Sequence, residues 1–168
     1  FLAKNRSAQQ AADELTAMVE AEPTEFRLRF ALGKLYEAAN DLVKAKAVYE
    51  EILSRTDGEE ESVNALNAKT RLAVVEARSG NQDASRVLVE EVLAQNPRDQ
   101  EALKLRGTLS LSGGDAAAAI ADYRAALRDD GNNTDLLRLL ARAHLANKEV
   151  VLAQDTLTKG IEANPSSI

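Results

Sequence analysis

Only three prolines punctuate the chain, Pro23, Pro97 and Pro165, and the last two stand 68 residues apart, twice a period of 34. Pro23 to Pro97 is 74 residues, two such periods plus an insertion of six. The same offsets bring other columns into line: Gly33, Ala73, Gly107 and Ala141; Ala11, Ala45, Ser85, Ala119 and Ala153; Leu15, Tyr49, Val89, Tyr123 and Leu157. Self-similarity at a fixed period of this size marks a repeat array, in which no unit buries its apolar face alone and stacking supplies the core. Such a chain binds or scaffolds.

The spacing inside one period makes the repeated unit a pair of helices. From Phe26 to Ala39 the apolar residues recur at steps of three and four (Leu28, Ala31, Leu32, Leu35, Tyr36), which lays one apolar stripe along a helix. Asn40-Asp41 breaks it. Asp41, Asn81 and Asp115 share a column and are expected to cap the second helix of each pair by accepting backbone N–H bonds, with Glu149 a weaker cap in the last. The second helices then run through Ala45, Val48, Tyr49 and Ile52, and through Ala119, Ile120, Tyr123 and Ala126. Small residues in the Gly/Ala columns let paired helices approach, and large ones fill the space between pairs.

The period also predicts that the chain is cut from a longer array. Phe1 to Arg6 would be the end of a first helix, and Ile168 falls in the column of Phe26, Gln100 and Thr134, where another repeat would start. Composition sets further bounds. The chain is 45% hydrophobic and 29% charged, ordinary for a protein that buries a core, and its apolar runs fall far short of the roughly 18 to 20 residues a membrane helix needs. Without cysteine it has no disulfide and no thiolate metal site, which suits cytoplasm and periplasm alike.

Four stretches carry a family resemblance: LGKLYEAANDLVKAKAVYEEIL at 32–53, LAVVEARSGNQDASRVLVEEVLAQNP at 72–97, RGTLSLSGGDAAAAIADYRAAL at 106–127 and LARAHLANKEVVLAQDTLTKGIEANP at 140–165. Residues 7–23 match the second helix of a preceding repeat. The sequence resembles the tetratricopeptide repeat family. It departs from the family pattern at Glu76, Ser110 and His144, where the family favours Tyr, and at Asp57 and Gly131, where it favours Pro. The resemblance implies an all-α fold, a right-handed superhelical solenoid of antiparallel helix pairs, about four and a half repeats: 1–25 partial, 26–59, 60–99 with the insertion, 100–133 and 134–167. The stretch 117–149 also looks similar to long bacterial proteins of this family, including lipoproteins of exosortase and exopolysaccharide systems, which points to a bacterial assembly or export scaffold.

In this family the first helix of each pair lines a concave groove that takes a peptide or partner protein. Carried onto this sequence, the groove holds Arg27, Phe30, Lys34 and Glu37; Asn67, Thr70, Val74 and Ala77; Glu101, Lys104, Thr108 and Leu111; and Asp135, Arg138, Arg142 and Leu145. Five of these are basic and three acidic, a net of plus two on a chain of net charge −6, so an acidic or carboxylate-bearing partner is favoured. The family's chaperone-binding carboxylate clamp needs Lys and Asn one turn apart on its first groove helix. Phe30 and Lys34 stand there instead, so a chaperone tail is not expected.

The insertion falls in Thr56 to Asn64. It is expected to lengthen the next helix to about 60–79, with Glu59 to Glu61 at its positive end, or to project as a lip beside the groove. His144, the only histidine, lies on an apolar face with no evident metal or triad partner and reads as structural. Asp129 to Asn133 lacks the alternating ligands of a calcium loop and reads as a turn between repeats, with Asn133 or Thr134 capping the next helix. Gly113-Gly114-Asp115 follows no strand and is likewise a turn. No catalytic constellation, cofactor or metal site emerges. A protein-interaction scaffold leads; a docking or regulatory segment of a larger enzyme is the alternative. An RNA-binding repeat is disfavoured by the net charge, 4% aromatics and no basic stripe. Self-association through apolar ends is a further expectation.

Overall fold

The computed structural model describes residues 2–56 and 62–163, and among these residues it contains nine α-helices and no strand. They are α1 (Leu2–Ala21), α2 (Phe26–Ala38), α3 (Leu42–Arg55), α4 (Val63–Arg78), α5 (Gln82–Gln95), α6 (Gln100–Ser112), α7 (Ala116–Ala126), α8 (Thr134–Ala146) and α9 (Val150–Ala163). The fold is all-α and built from repeated helix pairs. The chain forms two compact units, one up to Leu88 and one from Val89 onward.

Local chemistry sets the helix ends. The side chains of Asp41, Asp115 and Asn133 accept from the backbone N–H groups of Lys44, Ala118 and Leu136 at 3.2, 2.9 and 3.1 Å. Asn81 and Glu149 instead reach back across their own turns: Asn81 Nδ2 donates to Glu76 at 2.7 Å, and Glu149 lies 2.6 Å from His144 Nδ1. The turn inside each pair closes the same way in all four repeats. The backbone N–H groups of Asp41, Asn81, Asp115 and Glu149 bond the carbonyls of Tyr36, Glu76, Ser110 and His144, each at 2.9 Å. That closure needs a left-handed residue just before it, and Asn40, Gly80, Gly114 and Lys148 have φ of 60, 89, 88 and 63°.

Two expectations change. Leu2–Ala21 is one continuous helix rather than the end of one and the start of another, since no Gly or Pro interrupts it. Helix α4 begins at Val63, because Ser62 adopts extended backbone (φ −64°, ψ 150°) and caps Ala65 N–H at 3.2 Å. Asp57 to Glu61, with the expected acidic helix start and lip, lie outside the described residues.

In the first unit Ala45, Tyr49 and Ile52 of α3 pack on Ala68, Leu72 and Val75 of α4, with Phe26, Phe30 and Tyr36 beside them. A smaller cluster joins Ala12, Leu32 and Val48. In the second unit the buried core includes Leu103, Leu109, Ala119, Ile120, Tyr123, Leu136, Leu137 and Leu140. Gly33 and Gly107 are there for the tyrosines: a Cβ on Gly33 would sit 2.6 Å from Tyr49 Cζ, and one on Gly107 2.8 Å from Tyr123 Cε1.

Candidate functional site

The residues expected along the groove divide by exposure, and the two units treat them differently. In the first unit Arg27, Lys34 and Asn67 are exposed or partly so, while Phe30, Val74 and Ala77 are half-buried. Phe30 leans on the Tyr49 ring with centroids 6.3 Å apart. Glu37 and Thr70 are buried. The Thr70 hydroxyl donates to Leu66 O at 3.0 Å and so satisfies itself within its own helix.

Glu37 is the buried centre of a polar network whose arginines reach the surface. Its Oε1 accepts from the Tyr49 hydroxyl at 2.6 Å and from Arg71 Nε at 3.0 Å, with Arg71 Nη2 as a third donor. Arg78 donates to the Glu37 carbonyl at 3.2 Å and to Asn40 Oδ1 at 2.9 Å. Burial pushes the Tyr49 hydroxyl well above its ordinary range, and the Glu37 carboxylate pushes it the same way. Alongside, Lys46 bonds Glu76 at 2.6 Å; each partner steadies the other's charge, so the lysine shifts up and the carboxyl down.

The second unit offers more. Glu101, Thr108, Asp135, Arg138, Arg142 and Leu145 are exposed or partly so, and Lys104 and Leu111 half-buried. Lys104 pairs with Glu101 at 2.8 Å and Arg138 with Asp135 at 3.3 Å. Arg27 of the first unit similarly pairs with Glu25 at 2.6 Å. Of the five expected groove cations, Lys34 and Arg142 alone form no ion pair among the described residues. Thr108 Oγ1 lies 3.1 Å from the Tyr123 hydroxyl and 2.8 Å from Lys104 O. Either hydroxyl can donate across that contact. Burial raises the Tyr123 pKa; the Thr108 contact and the nearby Arg142 guanidinium oppose that rise.

Position in the repeat found the exposed residues but missed the partners that bury Glu37. The signal was present in its column, which otherwise holds Ala77, Leu111 and Leu145. A carboxylate in an apolar column needs partners, and Tyr49 and Arg71 supply them. His144 is buried and paired with Glu149, whose carboxyl that bond holds below its ordinary range. The Asp129–Asn133 segment forms a turn in which Asp130 accepts from Asn132 N–H at 3.2 Å.

Two family models, each described as a tetratricopeptide repeat, match residues 2–70 with 110–168 and residues 70–134. The chain belongs to the tetratricopeptide repeat family. Solved structures agree in fold. A crystal structure of MamA matches with a TM-score of 0.72 at 15% identity, over 96% of this chain and 91% of that one. The thermophilic tetratricopeptide repeat protein TTC0263 of Thermus thermophilus matches at 0.77 and 16%, over 99% and 88%. YrrB, described as a tetratricopeptide repeat protein with an unusual peptide-binding site, matches at 0.62 and 16%, over 99% and 82%. No curated protein sequence matches the chain. Tetratricopeptide repeats are as a rule interaction modules without catalysis, and among the described residues no helix is long and apolar enough to cross a membrane.

Proposed function

We propose that this chain is a protein-interaction scaffold that takes a peptide or partner protein on the exposed faces of its first helices, within a bacterial assembly or export system. The observation that carries this reading is the division of labour on those helices. One face is buried in the core; the other presents Arg27, Lys34 and Asn67 in the first unit and Thr108, Arg138, Arg142 and Leu145 in the second. Family membership supports it, as does the peptide-binding site described for YrrB. The bacterial setting rests on the wording of residues 117–149. Arg142 stands without a carboxylate partner among the described residues, so an acidic or carboxylate-bearing partner suits the second unit.

Affinity capture from a lysate of the source organism, with the chain and an Arg138→Glu/Arg142→Glu variant side by side, tests the proposal. A partner held by the chain and lost from the equally folded variant is the expected result. A partner held equally by both overturns the assignment to the first-helix faces.

A further inference from the structure

On α3, Leu42, Tyr49 and Leu53 pack in a core cluster with Ala68, Leu72 and Val75 of α4, the first helix of the next pair. Two charged contacts fit that helix to its seat: Lys46 on α3 pairs with Glu76 of α4 at 2.6 Å, and Glu37 on α2 accepts from Arg71 of α4. In the second unit the columns of Leu42, Tyr49 and Leu53 recur on α9 as Val150, Leu157 and Ile161, and the column of Glu37 recurs on α8 as Leu145. All four are exposed, Leu157 by 43% where Tyr49 is fully buried. Among the described residues α9 packs only against α8, so nothing stands over this face as α4 stands over α3. A group of exposed apolar side chains marks a contact surface, whereas single ones need no explanation.

The face is also uncharged. At about 3.6 residues per turn, Val150, Gln154, Leu157 and Ile161 lie along one line of α9 at the spacing of a helix-to-helix seam, while Asp155, Lys159 and Glu162 turn away from it. Gln154 stands in the column of Lys46 and Leu145 in that of Glu37, so both groups that fit α4 to its seat are absent here. A helix like α4, which brings Arg71 and Glu76, would find neither of its partners. We propose that the face pairs instead with a second copy of this chain: α9 of one copy lies antiparallel to α9 of the other about a two-fold axis. Val150 then meets Ile161 of the partner subunit and Leu157 meets Gln154 of the partner subunit, with Leu145 at the rim. A two-fold axis sets a surface against itself, so a charged stripe would repel its equivalent and a neutral apolar one does not. The Gln154 amide carries donors and an acceptor, and two of them across the axis serve each other. This goes beyond the peptide-binding reading and does not rest on it.

The test is sedimentation velocity of the chain over about a hundredfold range of concentration, which is expected to show a monomer–dimer equilibrium. Leu157 and Ile161 are exposed, so the double variant Leu157→Glu/Ile161→Glu is expected to keep its helix content by circular dichroism and to weaken the dimer about tenfold or more. Met18→Glu, at an exposed apolar residue of α1, is expected to leave the dimer unchanged. The chain has no cysteine, so a single introduced one reports its neighbour. With a short bis-maleimide, Gln154→Cys is expected to cross-link between copies and Ala17→Cys, on α1, is not. A monomer at every concentration overturns the pairing and leaves the face to a helix of another protein. A dimer that persists in the double variant also overturns it, as does one in which Ala17→Cys cross-links and Gln154→Cys does not.

Discussion

Tyr49 and Tyr123 share a repeat column and full burial, yet one is tied to a carboxylate and the other to a neutral hydroxyl. With Glu37 in place, the first unit engages its tyrosine hydroxyl and Arg71 around a buried carboxylate. With Leu111 in that column, the second unit gives its tyrosine only the Thr108 hydroxyl. Repeats that share a backbone can therefore tie the same buried ring with different strength by where they place a single carboxylate.

The largest effect expected from this contrast follows removal of the buried carboxylate. Glu37→Ala strands Arg71 and the Tyr49 hydroxyl and should cost about 3 kcal/mol, as breaking a buried ion pair does. Leu111→Ala at the matching position should cost about 1 kcal/mol, because it removes a half-buried side chain and strands nothing. Urea denaturation of both variants decides the point; equal losses would break the comparison.

The glycines beneath the two rings sharpen it. Gly33→Ala drives a methyl against a ring tied to the Glu37 carboxylate and flanked by Phe30, whereas Tyr123 over Gly107 is tethered by a neutral hydroxyl, Thr108, and can shift. Overpacking costs about 1 to 3 kcal/mol. Gly33→Ala should fall at the upper end and Gly107→Ala at the lower, and the reverse order in chemical denaturation would contradict the tethering argument.

A smaller contrast lies in the turns. Lys148 holds a left-handed backbone at φ 63° where Gly114 of the same unit holds 88°. Lys148→Gly should therefore stabilise the chain by about 1 kcal/mol, read as a raised thermal midpoint. Asn40 tolerates that conformation better and accepts from Arg78, so Asn40→Gly should not stabilise and should lower the midpoint slightly.

The two tyrosines should also separate on alkaline titration. Burial raises both; beyond that, Glu37 pushes Tyr49 further up while Arg142 pulls Tyr123 down. A folded pKa above the unfolded one means stability that is complete below the ordinary tyrosine value and lost as pH climbs past it. In a Tyr36→Phe background, which leaves these two tyrosines alone, tyrosinate absorbance should show Tyr123 ionising before Tyr49, and the earlier step should vanish on adding Tyr123→Phe. Loss of that step in Tyr49→Phe instead would reverse the assignment.

Much of this architecture was legible because repetition displays each column several times. The proline spacing fixed the register, and α2, α6 and α8 begin at Phe26, Gln100 and Thr134, one column. Ala45, Val48, Tyr49 and Ile52 are buried as the helical stripe requires, and the caps at Asp41, Asp115 and Asn133 follow from short polar side chains ahead of apolar runs. What sequence hid were contacts set by three-dimensional neighbours. The Glu37 carboxylate meets Arg71 from the next helix pair, so its place on a first helix suggested exposure where packing imposes burial. The left-handed column was masked at Asn40 and Lys148, because the turn's backbone bonds impose that conformation even where glycine is absent.

The central claim, that the first unit ties its buried tyrosine through a coupled Glu37–Arg71 pair, is tested most directly by a double-mutant cycle of Glu37→Leu and Arg71→Leu measured by urea denaturation. The account predicts favourable coupling of about 1 kcal/mol or more between the two side chains. Effects that add to within about 0.5 kcal/mol would mean that the two groups act independently, and the claim would fail.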